Sequence, residues 1–285
     1  MIQNLSAIRR RIKSVENTRK ITRAMEMVSY AKLGRVKSLL FSSKLYFEKL
    51  ESLLHDFLKN TGYTGHPMIR THHASSSAIA LCVIASDTGL CSAYNQNVFR
   101  AAVEFLTDFD KDDVRIVAVG KEALRYFQNR GYLITDKFIE TRGIYTDELS
   151  DKIQKSLCSI FENETLKGVY VAHAHFGTML RQRYKVEKFL NIDVPAMAGD
   201  KYILEPSREA IGRSLIDRYL TEKMRLIILD AFTSEHSARM VAMKTATDNA
   251  DDMLLDLTLS RNKARQAAIT KEVLEVSSVR EAMRG

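Results

Sequence analysis

The placement of helix breakers constrains this chain more than any other feature. Only three prolines occur, Pro67, Pro195 and Pro206, all in the middle of 285 residues. From Met1 to Thr61 there is no proline and one glycine, Gly34; from Arg213 to Arg284 there is neither. Inside a helix a proline costs ~3 kcal/mol and a glycine ~1. Two long stretches nearly free of both, flanking a middle that holds every proline, predict two long helices around a globular insert.

The second stretch carries a coiled-coil period. Leu215, Tyr219, Glu222, Leu226, Leu229, Thr233, His236, Met240, Met243, Thr247, Ala250, Leu254, Leu257, Arg261, Ala264 and Ala268 follow one another in alternating steps of four and three. That is 53 residues in 15 steps, or 3.53 per step, the period of a left-handed supercoil seam. Glu222, Thr233, His236 and Arg261 make the seam less apolar than a zipper. In the first stretch Leu5, Ile8, Ile12 and Val15 keep such a seam. Following apolarity onward through Thr18, Ile21, Met25 and Val28 requires successive steps of three, a stammer that overwinds the supercoil. Asn60-Thr61-Gly62 reads as a helix stop. After Pro206, Ser207 reads as an N-cap and Glu209 suits the first turn.

Both helices leave one insert, so they are expected to pair antiparallel. The first has ~60 residues and the second ~75, so the second overhangs by ~15 residues, or ~22 Å. That tip, from Lys271 to Gly285, carries Val273, Leu274, Val276, Val279 and Met283. An unpaired helix end with this apolar surface calls for a sleeve from another protein.

The insert alternates strand-like and helix-like runs. Ser77–Ser86 is a continuous apolar run, as in a central strand. Val114–Val119 and Tyr132–Thr141 read as further strands, Lys121–Arg130 and Thr146–Asn163 as helices. Gly168–Phe176 and Arg181–Ile192 read as a hairpin. The expected fold class is α/β: a central Rossmann-like domain with a mainly parallel sheet, over residues 66–206. The long antiparallel two-helix coiled coil is assigned to 1–61 and 207–285, and His66 to Ser77 is read as a polar linker.

Charge and composition narrow the function. Residues 1–40 hold ten Lys/Arg and two acids, ten minus two giving the whole net charge of +8. A basic rod of this kind seeks nucleic acid, anionic lipid or acidic protein loops. Ala78 to Ala85 is the longest purely apolar stretch, far below the ~20 residues that cross a bilayer. Met1 to Leu5 does not open a secretory signal, and a transit peptide is not expected. Cys82, Cys91 and Cys158 form neither a disulfide framework nor a CxxC pair, as in a reducing cytosol.

Candidate chemistry is thin. The loop from Ser86 to Asn95 follows the first central strand, where open α/β sheets bind ligands. Its single glycine, Gly89, excludes GxGxxG and P-loop patterns. Asp87 and Cys91 would open a nucleophile reading, but no histidine is near Cys91 in sequence. The plainer expectation is a tight turn with a buried thiol. His173 and His175 share one face of a strand, yet no third metal ligand is placed; a hydrogen-bonded structural pair is expected. His72 and His73 fall in the linker. Met25, Met27, Met240 and Met243 suit core packing, with thioethers that also adapt to sliding partners. The run from Arg9 to Arg23 resembles a DNA-binding basic region, but Ile8, Ile12 and Val15 run through it, as in a paired helix. Catalytic residues, cofactors and metals are expected to be absent.

Three runs carry a family resemblance. Ile8-Arg9-Arg10-Arg11-Ile12-Lys13-Ser14-Val15-Glu16-Asn17-Thr18-Arg19-Lys20-Ile21-Thr22-Arg23-Ala24-Met25-Glu26-Met27-Val28 resembles the N-terminal signature of bacterial F-type ATP synthase gamma subunits. Ser234-Glu235-His236-Ser237-Ala238-Arg239-Met240-Val241-Ala242-Met243-Lys244-Thr245-Ala246-Thr247-Asp248-Asn249-Ala250 and Asn262-Lys263-Ala264-Arg265-Gln266-Ala267-Ala268-Ile269-Thr270-Lys271-Glu272 resemble its C-terminal ones. Glu205-Pro206-Ser207 stands where the family enters its second long helix. The family usually has Arg at Thr88, Gly-Gly-Leu at Ser92-Ala93-Tyr94 and Tyr at Arg261. No cysteine-bearing regulatory insert is present, so thiol control is not expected.

The resemblance implies a non-catalytic rotor shaft inside a ring of alpha and beta subunits. It also implies a foot on the epsilon subunit and the membrane c-ring, with delta elsewhere in the complex. The location implied is peripheral, on the cytoplasmic face of the bacterial inner membrane. Carried over by residue, Arg265, Gln266 and Thr270 would meet an acidic loop of a beta subunit. Arg9, Arg10, Lys13, Lys20, Arg23 and Met25 would lie near similar loops. Arg239 would transmit torque at the base of the shaft, and Tyr202 and Glu205 would lie in the foot. The rival readings are a basic coiled-coil nucleic-acid-binding protein and an α/β hydrolase or transferase using Cys91.

Overall fold

The computed structural model describes residues 5–69, 77–196 and 204–282. The order is α1 (Leu5–Thr61), a 3-10 turn (Pro67–Ile69), β1 (Ile79–Ile84), α2 (Tyr94–Leu106), a 3-10 turn (Lys111–Asp113), β2 (Val114–Val119), α3 (Lys121–Gln128), β3 (Leu133–Phe138), α4 (Asp147–Asn163), β4 (Gly168–Phe176), β5 (Gln182–Leu190) and α5 (Arg208–Ala282). The breaker-free stretches are thus single helices of 57 and 75 residues. Gly62 at φ 58° ends α1, and the Ser207 hydroxyl accepts the Ala210 N–H at 3.2 Å as α5 begins. Contacts divide the chain into two compact units. One joins α1 up to Val28 with α5 from Met240; the other runs from Ser29 to Arg239.

In the larger unit the sheet order is β3-β2-β1-β4-β5. β1 pairs in parallel with β2 and β4, β2 with β3, and β5 closes the edge antiparallel to β4. Every residue of β1 is buried, as expected of a strand covered on both faces. One face packs Ala80, Cys82, Ile84, Val117 and Val171 against α1, α4 and α5; the other packs Leu81, Val83, Ile116 and Ala174 against α2 and α3. Each fully buried aliphatic or aromatic side chain here contributes about 1.5–3 kcal/mol. Gly120 (φ 92°) lets β2 turn into α3: a Cβ there would stand 2.2 Å from the Ala85 carbonyl oxygen. Thr146 caps α4 by accepting the Leu149 N–H at 3.2 Å.

The start of the expected polar linker is instead packed. Met68 and Ile69 are buried. Buried His66 accepts the Met68 N–H on Nδ1 (3.1 Å) and therefore donates from Nε2 to Asp217 (3.2 Å). Its burial outweighs the pull of Asp217 and lowers the His66 pKa. His72 and His73 lie outside the described residues.

In the smaller unit Thr22 meets Thr247 (2.8 Å) and Arg19 meets Asp251 (2.8 Å). One helix ascends as the other descends, so the pair is antiparallel. On α5 the less exposed residues are Met243, Thr247, Ala250, Leu254, Leu257, Arg261 and Ala264, as the period predicts. On α1 the prediction fails. The covered positions after Val15 are Arg19, Thr22 and Met25–Glu26, while Thr18 is exposed, Ile21 is 60% exposed and Val28 57%. The four–three alternation is never broken, and there is no stammer. Apolarity misled because the true seam is polar here: the threonine hydroxyls bond each other, and Arg19 pairs with Asp251.

Candidate functional site

Two regions hold the residues singled out by sequence. The first is the paired ends of the long helices. Arg9, Arg10, Lys13, Lys20 and Arg23 are exposed along α1, and Met25 is half-buried. The basic surface therefore lies outside a paired helix. On α5 every described side chain from Arg265 to Arg280 is exposed, so the bare tip begins six residues before Lys271. Arg265 and Gln266 project freely; the Thr270 hydroxyl donates to the Gln266 carbonyl at 3.0 Å. Ile269, Val273, Leu274, Val276 and Val279 are each half or more exposed on this tip. Met243 is buried as core, whereas Met27 is exposed.

The second region lies in the larger unit, where the sheet meets α5. From Ile227 to Ser237 every residue of α5 is buried, so the helix is packed on all sides there. Strand order reverses between β1 and β4, and the crevice at their C-terminal ends is where doubly wound folds seat ligands. Here α5 occupies it. Arg239 Nη2 donates to the Thr88 carbonyl (3.0 Å) after β1, and the Ser237 hydroxyl donates to the Met179 carbonyl (3.0 Å) after β4. Arg239 Nη1 also pairs with Glu235 at 2.7 Å, with both side chains buried. His236 Nε2 donates to the Gly143 carbonyl at 2.7 Å. Burial lowers the His236 pKa, against the opposing pull of Glu235 and the Gly143 bond. On the periodic seam His236 and Thr233 read as weak members; each satisfies its polar group on a backbone carbonyl, His236 on Gly143 of a loop and Thr233 on Leu229 of its own helix.

The enzymatic readings lose their parts. Cys91 is buried, which pushes its thiol pKa up against the lowering effect of Arg239. Its neighbours are Asn95, donating at 3.5 Å, and the Ser86 hydroxyl at 3.8 Å. His173 and His175 do not bond each other: His173 meets Glu187 at 3.0 Å, and His175 meets Asp230, whose other oxygen accepts the Phe176 N–H at 2.8 Å. Burial opposes ionisation of Glu187, yet His173 and Lys185 bring its pKa down to about 2. Among the described residues no cluster of three or more His, Cys, Asp or Glu is placed to hold a metal, and no helix is long and apolar enough to cross a membrane. Glu205 is exposed ahead of α5, and Tyr202 lies outside the described residues. Sequence reading gave no role to Glu235, Lys32 or the loop at Arg142–Gly143; Glu235 adjoins His236 and Arg142 adjoins a turn glycine, whereas Lys32 carried no local signal.

Comparison with known proteins agrees with this architecture. A family model described as ATP synthase matches residues 4–283. The chain is 34% identical to the ATP synthase gamma chain of Protochlamydia amoebophila over 99% of both chains. It is 36% identical to that of Herpetosiphon aurantiacus over 95% of this chain and 96% of the relative. Among solved structures, a chain of the Euglena gracilis mitochondrial ATP synthase (OSCP/F1/c-ring, rotational state 3) superposes with TM-score 0.66 at 17% identity, covering 98% of this chain and 94% of that one. A chain of the Tetrahymena thermophila mitochondrial ATP synthase central stalk/c-ring gives TM-score 0.61 at 17% identity, over 79% and 99%. Those two likenesses speak to the fold; the sequence matches, which span both helical ends and the sheet between them, speak to descent, and by them the chain belongs to the ATP synthase gamma chain family.

Proposed function

We propose that this chain is the central rotor shaft of an F-type ATP synthase, a subunit without chemistry of its own. It couples ion-driven rotation of a membrane ring to ATP synthesis or hydrolysis on beta subunits. One observation supports this above the others: a single 75-residue helix is packed on all sides at Ile227–Ser237 and bare on all sides from Arg265 to Arg280. The packed part is the grip of a foot; the bare part is shaped for a collar.

In this reading residues 1–61 and 207–285 are the shaft arms and 66–206 the foot. Alpha and beta subunits surround the tip, with Arg265, Gln266 and Thr270 against a beta loop. Arg9, Arg10, Lys13, Lys20, Arg23 and Met25 face similar acidic loops. Epsilon, delta and the c-ring complete the assembly, with Glu205 and Tyr202 in the foot. The chain sits peripherally at the cytoplasmic face of the inner membrane. Three identical catalytic sites differ only if something lopsided touches each differently, and a contact equal in all states moves no equilibrium. Driving a site from 1:99 to 99:1 takes ~5.5 kcal/mol, whereas an exposed ion pair gives ~0–1. Apolar wedging by the tip together with several charged contacts meets that demand.

The test is reconstitution with alpha and beta partners, with crosslinking from position 269. ATP hydrolysis should require all three chains, and crosslinks should run to the nucleotide-binding subunits. A purified chain that hydrolysed ATP unaided, or bound DNA specifically near physiological salt, would defeat the proposal.

A further inference from the structure

We propose that Asp87 is the positioning residue that fixes the foot to both long helices, acting through two loops rather than by touching either helix; this rests on the rotor reading above. The Asp87 carboxylate is fully engaged. Oδ1 accepts the N–H groups of Lys121 and Glu140, each at 3.0 Å, and Oδ2 accepts the Thr141 hydroxyl at 2.9 Å and the Arg142 N–H at 2.7 Å. One side chain thus fastens the loop after β1 to the start of α3 and to the loop after β3.

Both fastened loops grip helices. Thr88, next in sequence to Asp87, receives Arg239 of α5 on its carbonyl at 3.0 Å and its hydroxyl at 3.3 Å. In the other loop the Arg142 carbonyl receives Lys32 Nζ of α1 at 2.9 Å, and the Gly143 carbonyl receives His236 of α5 at 2.7 Å. All these residues belong to the unit from Ser29 to Arg239. Among the described residues the non-glycine positions with positive φ are Leu90 (62°), Ser92 (55°), Glu140 (65°) and Arg142 (51°), two in each of these loops. Such conformations persist only where surrounding bonds over-determine them. At Gly143 (φ 63°) a Cβ would come within 2.6 Å of the His236 ring, so loop and helix are fitted closely.

At the other edge of the sheet Lys223, Asp230 and Ser234 of α5 bond directly to β4 and β5, and the rest of the sheet packs on α5 through apolar residues such as Ile228 and Phe232. Apolar packing resists separation but is non-directional, whereas hydrogen bonds weaken steeply off axis. Under torque the polar grip keeps foot and helices in fixed register. In Asp87→Asn the amide presents an NH2 toward N–H or hydroxyl donors whichever way it turns, and the loop that holds Lys32 and His236 comes loose.

The experiment uses the whole complex in sealed vesicles, comparing ATP hydrolysis with the ATP-driven proton or sodium gradient. For Asp87→Asn, whose NH2 faces two donors, ions moved per ATP should fall by more than about fivefold, the factor that a single lost hydrogen bond makes in a ratio, while hydrolysis per assembled complex stays near wild type. Thr141→Val, isosteric and lacking one donor, should lower the same ratio less. The inference is overturned if Asp87→Asn leaves the ratio unchanged, or if gradient and hydrolysis fall in step, as for a merely structural residue. Should Asp87→Asn fail to assemble, Thr141→Val decides: an unchanged ratio there overturns it equally. A wild-type complex that hydrolyses ATP without moving ions would remove the rotor reading itself, a distinct result.

Discussion

The Glu235–Arg239 pair makes a quantitative demand on the larger unit. The two groups lie 2.7 Å apart, with side chains 3% and 8% exposed. Removing one partner of a buried pair strands the other charge and costs about 3–5 kcal/mol. Arg239→Met keeps much of the packing volume but leaves Glu235 unpaired and takes the donor from the Thr88 carbonyl. In a domain of this size each kcal/mol moves Tm by ~2–4 °C, so a drop of roughly 6–20 °C is expected. The double variant Glu235→Gln/Arg239→Met, which buries no lone charge, should recover more than half of the loss. The assay is near-UV circular dichroism during urea or thermal unfolding. The chain has no tryptophan, and every tyrosine and phenylalanine lies between Tyr30 and Phe232, so this signal reads the larger unit and not the paired helix ends. A single-variant loss below about 1 kcal/mol, or a double variant no better than the single, would refute the buried-pair argument.

Other outcomes follow from the same structure. Burial lowers the pKa of both His66 and His236. As pH falls below ~6.5 the unfolded chain takes up protons that the native one refuses, so stability should decline by up to ~1.4 kcal/mol per pH unit for each histidine. His236→Gln should remove one share of that slope between pH 7.5 and 5.5, read from urea midpoints; an unaltered slope would contradict it. Gly34 sits in mid-helix with open space where a Cβ would go, so Gly34→Ala should stabilise by about 0.5–1 kcal/mol by denaturant titration. Deleting the residues after Lys271 should leave the near-UV melting curve unmoved, because the tip is bare; loss of cooperativity would count against that.

What could be read from sequence, and what could not, has a physical basis. Helix length was legible because prolines and glycines cost so much in a helix interior. The α5 seam was legible because from Met243 to Ala264 apolar or small residues fill most covered positions. The same rule failed on α1, where Thr22, Ser29 and Ser43 are buried and Ile21, Val28 and Leu45 are exposed. Thr22 holds that seam by bonding Thr247, and the exposed apolar residues face outward. Strands β2 and β4 fall where apolar runs begin and end; β3 is shorter than its run because Tyr132 and Thr141 belong to turns. His66 opened the stretch read as a polar linker, and only the fold brings Asp217 to it. The grip on α1 and α5 was invisible for the same reason, since Thr88, Arg142 and Gly143 bond chiefly through backbone carbonyls, which every residue type possesses.

The naked end of α5 also bears on how a cell must manufacture this protein. Five aliphatic side chains along one short helical stretch, each half or more open to water, make any orphan copy prone to clumping and an easy substrate for proteases. Production out of step with the other chains would therefore be wasteful and self-correcting, surplus molecules being trapped or degraded. Balanced translation is thus an obligation written into the last helix.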